Sequence, residues 1–171
     1  MRAVRIHGNG GPEVLQYEQA PDPQPGPGEV LVRIRAASVN YRDLRSRSER
    51  ALPFPYILGC DIAGEVTHAP GDTSLQPGQP VVLYPMSSCG RCHYCRSGQP
   101  NLCSEASIAD GGYAEWAVAP ASRVIPIPTG MDWELAACLP VAYTTAWHML
   151  MQRASLRPGE TVLVLGASGG V

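Results

Sequence analysis

Four cysteines lie close together in the middle of the chain, within the segment CGRCHYCRSGQPNLC. They are Cys89, Cys92, Cys95 and Cys103, and their spacing is C-x2-C-x2-C-x7-C. Four thiolates at this spacing can surround one tetrahedral Zn²⁺ and leave no coordination position for water. Such a closed site stabilises structure and does not itself carry out a reaction. The sequence therefore predicts one structural zinc ion per chain.

Two other uses of these cysteines are less compatible with the sequence. Disulfide bonds are typical of secreted proteins, but Met1 is followed by RAVRIHGNGG, which is not an apolar signal segment. The iron–sulfur run of bacterial ferredoxins has three residues before its last cysteine, whereas seven separate Cys95 from Cys103. We therefore expect a reducing cytoplasm, in which thiolates persist as metal ligands.

The composition is that of a globular chain with many turns. Its 171 residues, 44% of them hydrophobic, suffice for one domain and a little more. The net charge of -2 gives no reason to expect a nucleic-acid or anionic-membrane partner, and no apolar stretch is long enough for a transmembrane helix. Seventeen prolines and eighteen glycines favour a mainly β fold with short helices.

Alternation of apolar and polar residues predicts several short strands. The clearest run contains Val30, Val32 and Ile34, which alternate with more polar neighbours. Further strands are expected at residues 1–6, 14–18, 62–66 with a break at Gly64, 81–84, 113–118 and 124–127.

Helical patterns are fewer. Residues 40–47 predict a short helical turn, and Asp132 can cap a helix through its side chain. Ala142, Ala146 and Met149 recur at helical spacing, which predicts a helix over residues 139–151.

The last residues combine an apolar run with a glycine-rich loop. Residues 161–165, TVLVL, are typical of a strand buried in a parallel sheet. The loop that follows allows close approach of the backbone to a pyrophosphate, and its residues are Gly166, Ala167, Ser168, Gly169, Gly170 and Val171. Since a buried strand needs neighbours on both sides, we expect the chain to be a fragment of a longer protein, cut where a second domain begins.

Taken together, these motifs resemble the medium-chain dehydrogenase/reductase superfamily, which contains the zinc alcohol dehydrogenases and the quinone oxidoreductases. The resemblance covers nearly the whole chain. Its matching pieces, in the order of the family, are GPGEVLV, SVNYRD, LGCDIAGEV, the cysteine lobe, GYAE, TTAW and the final VLVLGASGGV.

The resemblance implies two structural units. Residues 1–138 would form a GroES-like, partly open β-barrel that carries the zinc lobe at about residues 89–103. Residues 139–171 would form a connecting helix and the truncated start of an α/β Rossmann dinucleotide-binding domain. A homo-oligomer is also implied for the full-length protein.

The resemblance also gives positions for a catalytic zinc. In the zinc alcohol dehydrogenases its ligands are a cysteine three residues before an aspartate, a histidine followed by glutamate, and a cysteine at the start of the late helix. Here these ligand positions hold Asn40, Cys60 and Val141, while Asp43 and Asp61 occupy the acidic positions. We expect the catalytic zinc to be lost, with Cys60 and Asp61 as vestigial metal positions. A rearranged site of Cys60, Asp61, Cys138 and either His148 or His68 is the alternative.

Without a catalytic zinc, the resemblance points to NAD(P)H-dependent quinone and enoyl reductases. Asn40 and Thr145 match positions near the nicotinamide ring and are the expected catalytic residues, and both are also expected to bind the cofactor together with the glycine-rich loop. The loop favours NADP over NAD only weakly, and the substrate would be a small molecule such as a quinone, an enone, or an aldehyde or alcohol. A zinc alcohol dehydrogenase with an altered metal site and a binding module without turnover remain alternatives, and the fragment alone is expected to be inactive.

Overall fold

Short strands make up most of the regular structure, as the sequence predicts. The computed structural model describes all 171 residues. The strands are β1 (Arg2–Ile6), β2 (Gln16–Gln19), β3 (Glu29–Ser38), β4 (Tyr56–Ile57), β5 (Asp61–His68), β6 (Pro80–Leu83), β7 (Met86–Ser87), β8 (Ser107–Ile108), β9 (Trp116–Pro120) and β10 (Val124–Pro126). The α-helices are α1 (Tyr41–Glu49), α2 (His93–Arg96), α3 (Trp133–Cys138) and α4 (Thr144–Trp147). The mainly β fold class with short helices is thus confirmed.

A five-stranded antiparallel sheet forms the centre of the molecule. Its strand order is β10-β6-β5-β3-β9, and a smaller sheet has the order β2-β1-β4. Alternating residues of the central sheet point into one apolar core, in which Val30, Val32 and Val81 are fully buried. Burial of β-branched side chains on one face is what sets the pairing register of these strands.

Helix α3 covers the opposite face of the sheet. Ala136 and Ala137 pack there against Ala63 of β5 and Val82 of β6. Small side chains on both sides let the helix approach the sheet closely. As the sequence predicts, Asp132 caps this helix, because its carboxylate accepts a hydrogen bond from the Leu135 N–H at 3.0 Å.

Gly64 does not break β5, contrary to the sequence prediction. The strand runs through it and pairs with β3 along its length, with local irregularities in register. A Cβ atom at Gly64 would lie 2.3 Å from the Arg33 carbonyl oxygen. Glycine therefore permits the close approach of two strands here, rather than ending one.

The chain after α3 stays helical but is irregular. Wide π turns at Leu139–Tyr143 and His148–Arg153 flank α4, so the helix predicted for residues 139–151 is present with a different hydrogen-bond pattern. The face marked by Met149 is not buried, since Met149 is 50% exposed. The predicted division of the chain at residue 138 stays a prediction.

The strand predicted for residues 161–165 is wrong for this structure. The segment has no regular structure, and Leu163 and Leu165 are more than four-fifths exposed. Apolar residues form a buried strand only where a neighbouring strand accepts their backbone hydrogen bonds, and no strand pairs with this segment. No helix in the structure has both the length and the apolar character needed to cross a membrane.

Candidate functional site

The cysteine lobe emerges between β7 and β8, which pair with each other and close its base. Helix α2 and a 3-10 turn at Pro100–Leu102 fold the intervening segment so that the four cysteine sulfurs lie within 4.8 Å of one another. Three of the Sγ···Sγ distances are 3.6, 3.6 and 3.9 Å. No histidine belongs to this group, and His93 packs its ring edge-to-face on Tyr94.

These separations fit a tetrahedral metal ion. With zinc–sulfur bonds of about 2.3 Å, a regular tetrahedron places its sulfurs about 3.8 Å apart. A disulfide would require about 2.05 Å, and all six cysteines of the chain are free. Backbone N–H groups of Cys92, Cys95 and Glu105 also point at sulfurs of the cluster, at 3.3–3.5 Å. Such donors stabilise thiolates, and backbone donation from Arg91 and Cys92 lowers the pKa of Cys89 to about 6.

A second cluster of donors lies at the N-terminus of α1. Asn40 is the N-cap residue, and its backbone N–H donates to Asp43 Oδ2 at 2.9 Å while the Asp43 N–H donates to the Asn40 carbonyl. The Asn40 side chain donates from Nδ2 to Asp61 Oδ2 at 2.9 Å, and Ser38 donates to the same oxygen at 2.7 Å. The capping interaction thus fixes where the Asn40 amide points, towards the buried start of β5.

Cys60 occupies the centre of this second cluster. Its Sγ lies within 4.8 Å of a carboxylate oxygen of Asp43 and of Asp110, and its only hydrogen-bonding neighbour is Asn40 Nδ2 at 3.8 Å. Burial, together with the charges of Asp43 and Asp61, raises the pKa of Cys60 to about 12. Cys60 is therefore a neutral thiol at neutral pH.

Asp61 is fully buried beside Cys60. Burial raises the pKa of its carboxyl group, while hydrogen bonds from Asn40 and Ser38 and the nearby Val141 N–H act in the opposite direction. Its Oδ1 atom has no hydrogen-bond partner. A buried oxygen without a hydrogen-bond donor lowers the stability of the folded state.

Arg42 supplies the positive charge of this region. Its guanidinium binds both oxygens of Asp110, donates to the Ile108 carbonyl at 3.3 Å, and lies 3.8 Å from Asp43 Oδ1. Tyr56 donates to Asp110 Oδ2 at 2.9 Å. The Asp110 side chain is only 1% exposed, so a forked arginine–carboxylate pair neutralises its charge inside the protein.

Tyr113 connects the glycine-rich turn before β9 to α1. Its hydroxyl donates to Asp43 Oδ2 at 2.8 Å. The ring lies over Gly59, where a Cβ atom would be 2.7 Å from it, and Gly59 has a φ of +92° that favours glycine. Gly59 therefore makes room for the ring, and the ring places its hydroxyl on Asp43.

The remaining residues singled out in the sequence lie elsewhere. Thr145 is exposed on α4. Cys138 is exposed and, like His68 and His148, belongs to neither group of clustered metal-ligand side chains, so the rearranged metal site is not formed. Gly166 has a φ of +70° and accepts a hydrogen bond from the Gly169 N–H at 2.9 Å, which makes the glycine-rich loop a tight, exposed turn.

Sequence reasoning missed Asp110, Tyr113 and the interactions of Arg42. Their partners lie about seventy residues away along the chain, so no local pattern reveals them. A signal was available in the sequence DGGY, where an aspartate and a tyrosine flank two glycines. Glycines at that point indicate a close backbone approach, and the polar residues beside them are then candidates for the site.

Comparison with protein families identifies the domain that contains these residues. The model of the alcohol dehydrogenase GroES-like domain matches residues 26–129, more than half of the chain. Acryloyl-coenzyme A reductase of Metallosphaera sedula is 34% identical over 178 residues, covering 100% of the chain and 53% of that protein. Quinone oxidoreductase of Mus musculus is 34% identical over 177 residues, covering 100% of the chain and 46% of that protein. The chain belongs to the medium-chain dehydrogenase/reductase superfamily.

Solved structures of this superfamily share the fold. A cobalt- and zinc-bound thermostable alcohol dehydrogenase from Pyrobaculum aerophilum superposes with a TM-score of 0.89 at 40% identity, covering 99% of the chain and 53% of that structure. The chain therefore spans about half the length of the relatives it matches. The GroES-like fold expected from the sequence is confirmed, and the region from β3 to β10 lies within the matched part.

Proposed function

We propose that the protein is an NAD(P)H-dependent reductase of the quinone or enoyl-reductase type, with one structural zinc and no catalytic zinc. The observation that carries this proposal is the set of side chains around Cys60. Asn40, at the first ligand position, donates its amide N–H to Asp61, and Arg42 binds both oxygens of Asp110.

The donor set does not suit a catalytic zinc. Zinc needs a thiolate, a neutral imidazole or a free carboxylate. Asn40 presents amide N–H groups to this site, Val141 has no ligating side chain, and Asp110 is bound by the forked guanidinium of Arg42. A metal ion would have to displace a fixed positive charge that stands next to it. The proposed reaction therefore has no step at a metal ion.

The four-thiolate lobe suits a structural zinc. Its sulfurs have the spacing of a tetrahedron, and its backbone donors favour the thiolate state. We assign one zinc per chain to Cys89, Cys92, Cys95 and Cys103. Its role is to hold the lobe in its folded form.

Asn40 and Thr145 are the residues assigned to orienting the reactants. Asn40 Nδ2 donates one hydrogen to Asp61 at 2.9 Å and makes only a long contact of 3.8 Å to the Cys60 sulfur, which a carbonyl or carboxamide oxygen could replace. Thr144 donates its hydroxyl to the Pro140 carbonyl inside the helix, whereas the Thr145 hydroxyl makes no hydrogen bond within the chain. Thr145 is therefore the threonine of this pair that can bind a ligand.

The glycine-rich turn at residues 166–170 suits the pyrophosphate of a dinucleotide. It is exposed, and Gly166 has a backbone conformation that side chains rarely adopt. A bound nicotinamide supplies the hydride, which would be transferred to an electron-poor C=C bond or to a quinone. The protein would hold that acceptor in position and polarise its carbonyl group by hydrogen bonds. The acceptor is a small molecule, as it is in the relatives' names.

One observation favours a second candidate, a zinc alcohol dehydrogenase with an altered site. Donor atoms of Asp43, Cys60 and Asp110 do lie within 4.8 Å of one another. If Arg42 moved away, these three groups could hold a metal ion. Alcohol oxidation by this candidate would be abolished by a chelator and by Cys60→Ala.

Metal content decides between the two candidates. Elemental mass spectrometry on the whole protein that carries this chain should give one zinc per chain, and Cys92→Ser should reduce it to none. The same protein should oxidise NADPH or NADH with a quinone or enone, followed by the loss of cofactor absorbance. Two zinc ions per chain, with chelator-sensitive alcohol oxidation, would favour the alcohol dehydrogenase over the reductase. No binding of nicotinamide cofactor would indicate a module without turnover.

A further inference from the structure

A cleft of about 720 Å³ lies between α1 and the segment that leaves the cysteine lobe. One wall is a single face of α1, formed by residues spaced three and four apart: Arg42, Arg45, Ser46 and Glu49. Arg50 also lines the cleft, and residues 106–108 form the wall that faces α1 across the Arg42–Ile108 contact. Three of the nine lining residues are arginines, so guanidinium groups form a large part of this concave surface.

The cysteine lobe supports the far wall. The Ala106 N–H donates to the Cys103 carbonyl at 3.0 Å, and the Glu105 N–H points at the Cys103 sulfur. The Arg42 guanidinium joins the two walls by donating to the Ile108 carbonyl at 3.3 Å. Both walls are therefore held by interactions that do not depend on a ligand.

The three arginines differ in how many of their N–H groups already bind a carboxylate. Arg42 is bound in a fork by Asp110, and its side chain is 25% exposed. Arg45 has only an exposed pairing with Glu49 at 3.5 Å, of the kind that solvent largely screens. Arg50 lies 3.6 Å from an Asp110 oxygen that Arg42 and Tyr56 already occupy.

Arg45 and Arg50 consequently keep their hydrogen-bond donors free. Neither side chain donates a hydrogen bond within the chain, whereas Arg35 on the central sheet binds Glu65 at 2.7 Å. A guanidinium presents its N–H groups in a planar fork that matches a carboxylate or a phosphate. Free forks facing one cleft are suited to an anionic group.

We propose that this cleft binds the anionic end of the substrate, a carboxylate or phosphate group, through Arg45 and Arg50. The cleft adjoins the site at Asn40, because α1 begins at the residue that Asn40 caps and Arg42 contacts both places. A substrate held by its charged end in the cleft would direct its reactive end towards Asn40. This assignment to the substrate rests on the proposed reductase function, whereas binding of the anion does not.

Titration calorimetry of the protein with two probes, inorganic pyrophosphate and fumarate, tests the proposal at low ionic strength. At least one probe should bind, and the double variant Arg45→Gln/Arg50→Gln should weaken its binding at least about tenfold, the usual effect of losing a charge-assisted hydrogen bond. Glu49→Gln should strengthen binding, because it releases Arg45 from its partner. Pyrophosphate binding that the double variant weakens indicates a phosphate-bearing substrate, and fumarate binding that it weakens indicates a carboxylate-bearing one. Pyrophosphate binding that the double variant leaves unchanged belongs to the glycine-rich turn and, without fumarate binding, would overturn the proposal.

Arg153→Gln is the matched control, since it removes the same charge from an exposed position outside the cleft. It should leave binding of the probe unchanged. A melting temperature within about 1 °C of the unchanged protein shows that the double variant is folded, which is expected because both side chains are substantially exposed. No binding of either probe, or equal loss in the control, would overturn the proposal. Failure of the reductase function would show separately, as no oxidation of NAD(P)H with a neutral quinone.

Discussion

Tyr113→Phe is the change that most directly tests the polar network around α1. It removes one hydroxyl and keeps the ring that packs over Gly59. In the unchanged protein the Asp43 carboxylate, which is 3% exposed, accepts from Tyr113 at 2.8 Å and from the Asn40 N–H at 2.9 Å. Its Oδ1 atom has no hydrogen bond, and Arg42 is 3.8 Å away.

The expected loss of stability follows from these contacts. A hydrogen bond to a charged group contributes about 1.5 to 3 kcal/mol, and little else near Asp43 can replace it. For a chain of this size each kcal/mol corresponds to about 2 to 4 °C in melting temperature. We therefore expect Tyr113→Phe to lower the melting temperature by about 3 to 12 °C.

Thermal unfolding followed by circular dichroism measures this change. Tyr17→Phe is the control, because Tyr17 is 68% exposed and its hydroxyl makes no hydrogen bond within the chain. The double variant Tyr113→Phe/Asp43→Asn completes a cycle, in which the two effects should not add. If Tyr113→Phe melts within 1 °C of Tyr17→Phe, roughly the effect of a surface substitution, the buried network does not stabilise α1 as argued.

Two further predictions concern the cysteines. Cys92→Ser should lower the melting temperature by on the order of 10 °C and remove the zinc, because metal binding adds to the free energy of folding. Cys138→Ser, at an exposed position, is the control and should change neither the melting temperature nor the zinc content. An unchanged melting temperature of Cys92→Ser would mean that the lobe is dispensable for stability. Cys60, with its pKa raised to about 12 by burial and neighbouring carboxylates, should resist iodoacetamide at pH 8 while Cys138 reacts, as read by mass spectrometry. In the folded state the Cys60 thiol keeps its proton up to about pH 12, whereas in the unfolded chain it loses the proton near the ordinary pKa of 9.0. The stability that this group contributes therefore falls as the pH rises from 9.0 to about 12. Rapid alkylation of Cys60 in the folded protein at pH 8 would contradict its assignment as a buried neutral thiol.

Local sequence patterns were sufficient for some features of the protein. The four cysteines lie within a short stretch, so their spacing alone brings the sulfurs together once α2 and one 3-10 turn form. The strand around Val30 and Val32 follows from alternation, because one face of a sheet is buried and the other is not. The cap at Asp132 is also a local interaction, between residues three apart.

Other features depended on contacts between distant parts of the chain. The run TVLVL is apolar enough for a buried strand, yet without a strand to pair with it remains exposed and irregular. Gly64 reads as a break, but the approach of Arg33 from a neighbouring strand makes it part of a continuous strand. In both cases the deciding interaction comes from outside the local window.

The sequence by itself determined the superfamily, the mainly β fold and the group of four thiolates. Only the tertiary structure decided the chemistry of the second site, in which Arg42 is bound by Asp110 and Tyr113 by Asp43 across about seventy residues. The physical reason is that protonation and charge depend on burial and on neighbours brought together by folding. Cys60 could be recognised as a substituted ligand position from the sequence, but its state as a neutral thiol among carboxylates follows from the folded arrangement alone.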